Sequence, residues 1–122
     1  MLRKAESLRI VANEHMRGGN GTVHITHFLE KNADSPATDD FYGKGRLFGK
    51  IVLEPGESIG YHVHEGEAEI FYCARGTVLC NDNGTEVILH PGDVTRTGDG
   101  EGHGVENVGD DTAELIALIL YK

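Results

Sequence analysis

The chain has 122 residues, and its 20 acidic against 11 basic side chains give a formal net charge of −9 at pH 7. A chain of this length buries roughly two-thirds of its unfolded surface, so we expect one domain over residues 1–122 that needs no disulfide. The acidic excess argues against nucleic acid and membranes as partners, and no apolar run reaches transmembrane length.

The amino-terminal stretch MLRKAESLRIVANE is charged throughout and has no signal-peptide core. The two cysteines, Cys73 and Cys80, fall within strand-like segments. Free thiols are typical of reducing compartments, so the sequence favours a cytoplasmic location.

The first elements along the chain are short. Leu8, Ile10 and Val11 predict a brief strand or one helical turn, and TVHITHFL alternates as a strand does. In that strand His24 and His27 are three residues apart, so they lie on opposite faces and are not expected to share a metal. The polar stretch 30–44 predicts a long loop, either a lid or a plain insertion.

The remainder reads as short strands separated by glycine-rich and proline-rich turns. We predict strands at 46–53, 59–64, 69–74, 77–80, 85–89, 94–97, 103–107 and 113–121. The Asn-Gly pair at 83–84 is a strong hairpin signal. The last strand, AELIALILY, is almost continuously apolar and predicts burial on both faces. Many short strands indicate an antiparallel sandwich or barrel.

Two histidines one residue apart, His62 and His64, are the centre of the candidate site. Side chains at i and i+2 of a strand leave the same face, so their imidazoles are neighbours. Glu69 has the wrong parity for one unbroken strand, but the run Glu65-Gly66-Glu67 offers a turn that can reset it. Two imidazoles and a carboxylate suit a first-row divalent metal.

A fourth candidate, His103, follows the glycine-rich loop of GDGEGHGVEN and shares its face with Val105 and Asn107. In a small barrel, inward positions on adjacent strands can converge on one interior point. His103 can therefore join the other three residues. Alternatively, His62, His64 and Glu69 are solvated polar residues at a strand end.

The spacing of these residues resembles the two sequence motifs of the cupin family. The first motif is matched without a gap by Gly56, His62, His64, Glu69 and Gly76. The second is matched by Gly92, Gly100, His103 and Asn107, with Gly98 where the family has proline. Glycine at that position is expected to loosen the loop before His103.

The resemblance implies an all-β fold, an antiparallel jelly-roll β-barrel. Residues 1–45 would form an amino-terminal strand arm with a loop, and 46–122 the core barrel with both motifs. It also implies that His62, His64, Glu69 and His103 hold one divalent metal ion and leave two octahedral positions open. Manganese or iron is favoured; zinc, nickel, cobalt and copper tolerate the same ligands.

Cupins have many functions, so the implied activity is broad. The resemblance favours a small metalloenzyme acting on an oxygen-rich organic acid or related metabolite, of the decarboxylase, lyase or dioxygenase type. One alternative is a sensor that binds metal and a small ligand without turnover. Another is a sugar-phosphate isomerase, for which Lys44, Arg46, Lys50 and Arg96 are the available cations.

The residues that would act beside the metal stay unknown at this level. Near the motifs, Tyr61, Glu67, Arg96 and Glu101 are candidates for proton transfer or substrate anchoring, and none is assigned as catalytic. The expected partner is a small molecule. By family analogy the protein is a homodimer, with the amino-terminal strand crossing to the neighbouring barrel.

Overall fold

A computed structural model describes residues 1–122, except for the side chain of Pro36. It has two antiparallel sheets and three short 3-10 turns, at Ala5–Ser7, Met16–Gly18 and Pro36–Thr38. The strands in chain order are β1 (Arg9–Glu14), β2 (Thr22–His27), β3 (Gly45–Leu53), β4 (Ser58–Val63), β5 (Glu67–Arg75), β6 (Val78–Asp82), β7 (Thr85–Leu89), β8 (Val94–Thr97), β9 (Gly102–Asn107) and β10 (Ala113–Tyr121). No helix in the described residues combines the length and apolar character that crossing a membrane requires.

The two sheets face each other as the walls of a jelly-roll barrel. One has six strands in the order β1-β2-β3-β10-β5-β8, and the other has four in the order β4-β9-β6-β7. All the pairings are antiparallel. The predicted all-β, antiparallel jelly-roll fold is therefore confirmed.

Turn chemistry sets several of the strand boundaries. In the β6–β7 hairpin Asp82 pairs with Thr85, which leaves a two-residue loop of Asn83 and Gly84. Both loop residues have positive φ, 50° and 96°. This is the backbone that an Asn-Gly pair favours, because its twist matches that of the flanking strands.

The core lies between the sheets and is built from alternate residues of each strand. On β10 the inward residues Ala113, Leu115, Ala117 and Ile119 are almost fully buried. Their outward neighbours are only half-buried, and Leu120 is 41% exposed. The prediction that β10 is buried on both faces is thus wrong for a single chain: the core buries one face, whereas the side chains on the other face are only half-buried or exposed.

Other boundaries differ slightly from the predicted ones. β5 begins at Glu67 rather than at residue 69, and the preceding turn is centred on Gly66, whose φ is +71°. The ambiguous stretch near Ile10 is a strand, and β1 and β2 extend the sheet of β3 by hydrogen bonding. The division into an arm over 1–45 and a barrel over 46–122 stays a prediction.

Candidate metal centre

Three strands bring the four predicted ligand residues to one end of the barrel interior. His62 lies on β4 directly opposite His103 on β9, and His64 follows the end of β4. Glu69 reaches the same point from β5 of the facing sheet. The turn around Gly66 resets the side-chain parity, so that Glu69 faces inward with Phe71 and Cys73. His64, Glu69 and His103 are 5% exposed or less.

The donor atoms of these residues have the spacing of a metal site. One donor atom from each of the four residues lies within 4.8 Å of the others. The Nε2 atoms of His64 and His103 are 3.1 Å apart, and they lie 3.2 and 2.9 Å from Oε1 of Glu69. Two ligands at about 2.1 Å from an ion and at right angles would be about 3.0 Å apart. The cluster could therefore hold one metal ion.

Each imidazole is fixed by a hydrogen bond at the nitrogen that points away from the cluster. Nδ1 of His62 donates to the carbonyl oxygen of Gly60 at 2.8 Å, and Nδ1 of His64 donates to Oε1 of Glu67 at 2.7 Å. Nδ1 of His103 is hydrogen-bonded to Oγ1 of Thr97 at 2.9 Å. A proton on Nδ1 leaves the Nε2 lone pair free, which is the state that binds metals.

Packing fixes the rings as well. The ring of Phe71 stacks on that of His103, with centroids 4.8 Å apart and planes 13° apart. The three imidazole centroids are 4.8 to 4.9 Å from one another. The cluster is thus pre-organised, because stacking and hydrogen bonds restrict the rotamers.

Glu67 is the link between the cluster and an arginine. Its carboxylate accepts hydrogen bonds from Nε and Nη2 of Arg46 at 2.8 and 2.7 Å, in addition to that from His64. The hydrogen bond from Arg46, together with that from His64, lowers the pKa of Glu67 to about 2. Glu67 is therefore ionised at neutral pH and acts as a charged acceptor for His64.

The electrostatics of the cluster favour an ionised carboxylate. Burial raises the pKa of Glu69, but the contacts of its Oε1 with Nε2 of His103 and of His64 outweigh the effect of burial and hold the pKa below the ordinary value. Burial lowers the pKa of His62 and so favours its neutral ring. A buried anion beside imidazoles is a donor set that attracts a divalent cation.

Hydrogen bonds hold the glycine-rich loop that precedes His103. The amide of Gly98 donates to Oε1 of Glu101 at 2.7 Å. The backbone of His64 exchanges hydrogen bonds with the loop, from its amide to Glu101 and from Gly100 to its carbonyl. Asp99 accepts from the amide of Gly66. These contacts restrain the loop where the family motif has proline.

A cavity of about 200 Å³ opens from the cluster. His62, His64 and Glu69 form part of its wall. Much of the remaining wall is apolar: Met16, Ile25, Leu47, Ile51, Ile59 and Ile119. An engineered apolar cavity of about 150 Å³ holds benzene, which has six heavy atoms, so this one has room for a small organic molecule.

The other residues considered from the sequence lie mostly outside this cavity. Tyr61 is 50% exposed and packs over Gly102, while Arg96 is an exposed residue of β8. The carboxylate of Glu101 accepts a hydrogen bond from the amide of Gly98 within the glycine-rich loop. Among the predicted cations, Arg46 lines the cavity but is paired with Glu67. Lys50 is paired with Glu114 on the outer face, and neither Lys44 nor Arg96 contributes to the cavity wall.

Sequence reasoning missed three polar residues of the cavity wall: Asn13, Arg17 and His27. His27 shares its face of β2 with the buried Val23 and Ile25. That parity was a signal in the sequence that His27 lies on the inward face of β2. His24 is exposed, so the two histidines lie on opposite faces of the strand as predicted. For Asn13 and Arg17 no sequence motif gave a signal.

A β-barrel with three imidazoles and a carboxylate at one end of its interior is a barrel protein that could hold a metal ion. Sequence comparison shows to which family of barrel proteins the chain belongs. A family model described as "Cupin domain" matches residues 49–119. The chain belongs to the cupin family. The predicted family resemblance is therefore confirmed.

Two named relatives and one crystal structure are similar to this chain over most of its length. The chain is 42% identical over 106 residues to a Thermotoga maritima protein named "Oxalate-binding protein", with 87% of this chain and 82% of that one covered. It is 30% identical over 109 residues to the tetracenomycin polyketide synthase protein TcmJ of Streptomyces glaucescens, covering 89% of this chain and 66% of that one. A crystal structure of a predicted oxalate decarboxylase from Thermotoga maritima matches with a TM-score of 0.89 at 38% identity, and the full length of both chains is covered.

Proposed function

We propose that this cupin holds one divalent metal ion with His62, His64, Glu69 and His103, and that it binds a small oxygen-rich organic acid of the oxalate type at that ion. The single observation behind the proposal is the meeting of the four donor atoms within 4.8 Å at the wall of a cavity. The names of the Thermotoga maritima relatives support the choice of acid.

The ion would supply a Lewis-acidic centre with positions left open for oxygen ligands. Mixed nitrogen and oxygen donors suit manganese and iron, which we propose as the native metals. Around that centre the protein supplies fixed imidazoles, an ionised Glu69 and an apolar wall that limits the entry of water. Glu67 holds His64 in the tautomer that turns its lone pair toward the cluster.

Binding without turnover is favoured by the scarcity of proton donors in the described part of the cavity. Glu69 belongs to the cluster, and Glu67 is held ionised by Arg46 and His64. Turnover of the bound acid, of the decarboxylase, lyase or dioxygenase type, is the second candidate, and one observation favours it. His27 lies on the cavity wall, where an imidazole can transfer protons. Burial lowers the pKa of His27, so its neutral form can accept a proton.

The experiment begins with metal analysis of the purified protein. We expect about one ion per chain, and more than tenfold weaker retention in His62→Ala and in His103→Ala. Because protons compete with metal for imidazole, the ion should be released as the pH falls below about 6.5. Metal content unchanged in both variants would exclude these residues as ligands.

Binding and turnover are then separated with the same samples. Manganese-loaded and iron-loaded protein is titrated calorimetrically with oxalate, and carbon dioxide release, oxygen uptake and products are followed. Tight binding that depends on metal and gives no product supports the binding function. Product formation that disappears in Glu69→Ala supports the enzyme.

Sugar-phosphate isomerisation fits the cavity less well. A phosphate group requires several cations that are free to bind it. Arg46 is already engaged by Glu67, and Lys50 pairs with Glu114 on the outer face. This leaves one arginine of the described cavity wall, Arg17, without a carboxylate partner.

We also propose that the protein is a homodimer that covers the outer face of the six-stranded sheet. Part of that face is apolar across three neighbouring strands, because Leu118 lies opposite both Phe48 and Ile70, and Ile116 lies opposite Tyr72. The Lys50–Glu114 ion pair lies at the edge of this apolar part. Within one chain the four aliphatic and phenylalanine side chains are half-buried: Phe48, Ile70, Ile116 and Leu118. Tyr72 is 46% exposed. A contiguous apolar surface of this kind is typical of an interface.

A cytoplasmic location is proposed too, since both cysteines are free thiols.

A further inference from the structure

Arg17 differs from the other arginine of the cavity in having no acidic partner among the described residues. Both Arg17 and Arg46 line the cavity. Arg46 is committed to Glu67 by two hydrogen bonds, whereas no carboxylate of the described residues lies within ion-pair distance of Arg17. An arginine that faces a cavity without a partner is suited to bind an anion that enters it.

The backbone around Arg17 is fixed rather than loose. Arg17 has φ +55° and ψ +30°, a left-handed conformation within the turn Met16–Gly18. Its carbonyl oxygen packs directly against Gly60, where a Cβ atom would overlap it. Gly19 makes an equally close approach to the carbonyl of Ser58. The turn is thus pressed onto β4 at two points where only glycine fits.

Hydrogen bonds complete this attachment of the turn to β4. The amide of Asn20 donates to Oγ of Ser58 at 2.8 Å, and the amide of Ser58 donates to the carbonyl of Asn20 at 3.0 Å. Gly60, which contacts Arg17, also accepts the hydrogen bond from Nδ1 of His62. The backbone of Arg17 is therefore connected to the metal cluster through a single residue of β4.

The charges of the site indicate what Arg17 would bind. A divalent ion held beside the ionised Glu69 would retain one positive charge, and the Arg46–Glu67 pair is neutral as a unit. Arg17 adds a second positive charge on the cavity wall. Since burial lowers the pKa of His27, that ring contributes none near neutral pH. The complementary ligand has two negative charges.

From this arrangement we infer that Arg17 determines specificity for dianionic acids: it binds the carboxylate of a dicarboxylate that projects away from the ion. The inference rests on the proposed function, because it takes the ligand to bind at the metal. It adds a residue from outside both cupin motifs and a requirement for two carboxylates, with the apolar wall contacting the carbon skeleton that carries them.

The test uses the full chain loaded with manganese, and its readouts are dissociation constants and metal content. Wild type, Arg17→Gln and Arg17→Lys are titrated calorimetrically with oxalate, malonate and succinate and with their monoamides, which replace one carboxylate by a neutral group of similar size. Arg75→Gln is the matched control, since Arg75 is an exposed arginine of β5 that pairs with Asp111 away from the cavity.

We expect Arg17→Gln to weaken binding of the preferred dicarboxylate about tenfold and that of its monoamide less than twofold. Arg17→Lys should retain most of the preference for the dianion, Arg75→Gln should bind as wild type does, and all variants should contain equal metal. An unchanged affinity of Arg17→Gln for the dicarboxylate, or an equal loss for both ligands, would overturn the inference alone. Metal-loaded wild type that binds none of these acids would overturn it together with the proposed function.

Discussion

Substitution of Glu67 by glutamine tests whether the residues behind the cluster control metal affinity. Glu67 accepts one hydrogen bond from His64 at 2.7 Å and two from Arg46. A glutamine keeps the volume, but its amide has one acceptor oxygen and an NH₂ group that only donates. With its oxygen at the position of Oε1, glutamine can still accept from Nδ1 of His64 and Nη2 of Arg46, but this acceptor is uncharged and the NH₂ group faces Nε of Arg46.

The magnitude follows from the loss of the charged acceptor behind His64. A hydrogen bond to a charged group contributes about 1.5–3 kcal/mol, and a partner that orients a metal ligand typically changes metal affinity by about 10–100-fold. We therefore expect Glu67→Gln to hold its metal about 10–100-fold more weakly than wild type. The barrel core does not include Glu67, so the fold should remain intact.

The assay is a competition titration with a chromogenic chelator, accompanied by circular dichroism to verify folding. Glu114→Gln is the matched control, because Glu114 pairs with Lys50 at 3.7 Å on the outer face of the same sheet. It should change metal affinity less than twofold. A folded Glu67→Gln variant with the affinity of wild type would refute the orienting role of the carboxylate.

Three further predictions concern the rest of the barrel. Gly60→Ala should lower the melting temperature by several degrees, because its Cβ would overlap the carbonyl of Arg17. Gly109→Ala should leave the melting temperature unchanged, because its Cβ would have ordinary contacts at 3.5 Å or more. Equal melting temperatures of the two variants would disprove the close contact between Gly60 and the turn. Cys73 and Cys80 are fully buried and burial raises the pKa of Cys80 to about 11, so a thiol reagent at pH 8 should modify neither until the protein is unfolded; rapid modification of the folded protein would contradict their burial. Leu118→Glu places a charge on the apolar outer face and should convert the dimer to a monomer in light scattering after gel filtration, whereas an unchanged mass would exclude that face as the interface.

The sequence by itself determined most of the fold and the members of the cluster. Strand alternation and turn residues placed the strands at 85–89, 94–97 and 113–121 with the bounds that the structure has. These signals are local, since a strand face has a period of two and an Asn-Gly pair specifies its own turn. The spacing of His62, His64, Glu69 and His103 was sufficient to single them out, and the structure brings all four together.

Only the tertiary structure decided what surrounds the cluster. The docking of the turn at Arg17 onto Gly60, and the contact between Arg46 and Glu67, join residues far apart in sequence that share no motif. The outer face of β10 was another such case: its apolar sequence predicted cover, but whether a second layer exists depends on what packs there. Local periodicity specifies which side of a strand is apolar, whereas the three-dimensional arrangement of strands and turns specifies which residues meet across a cavity.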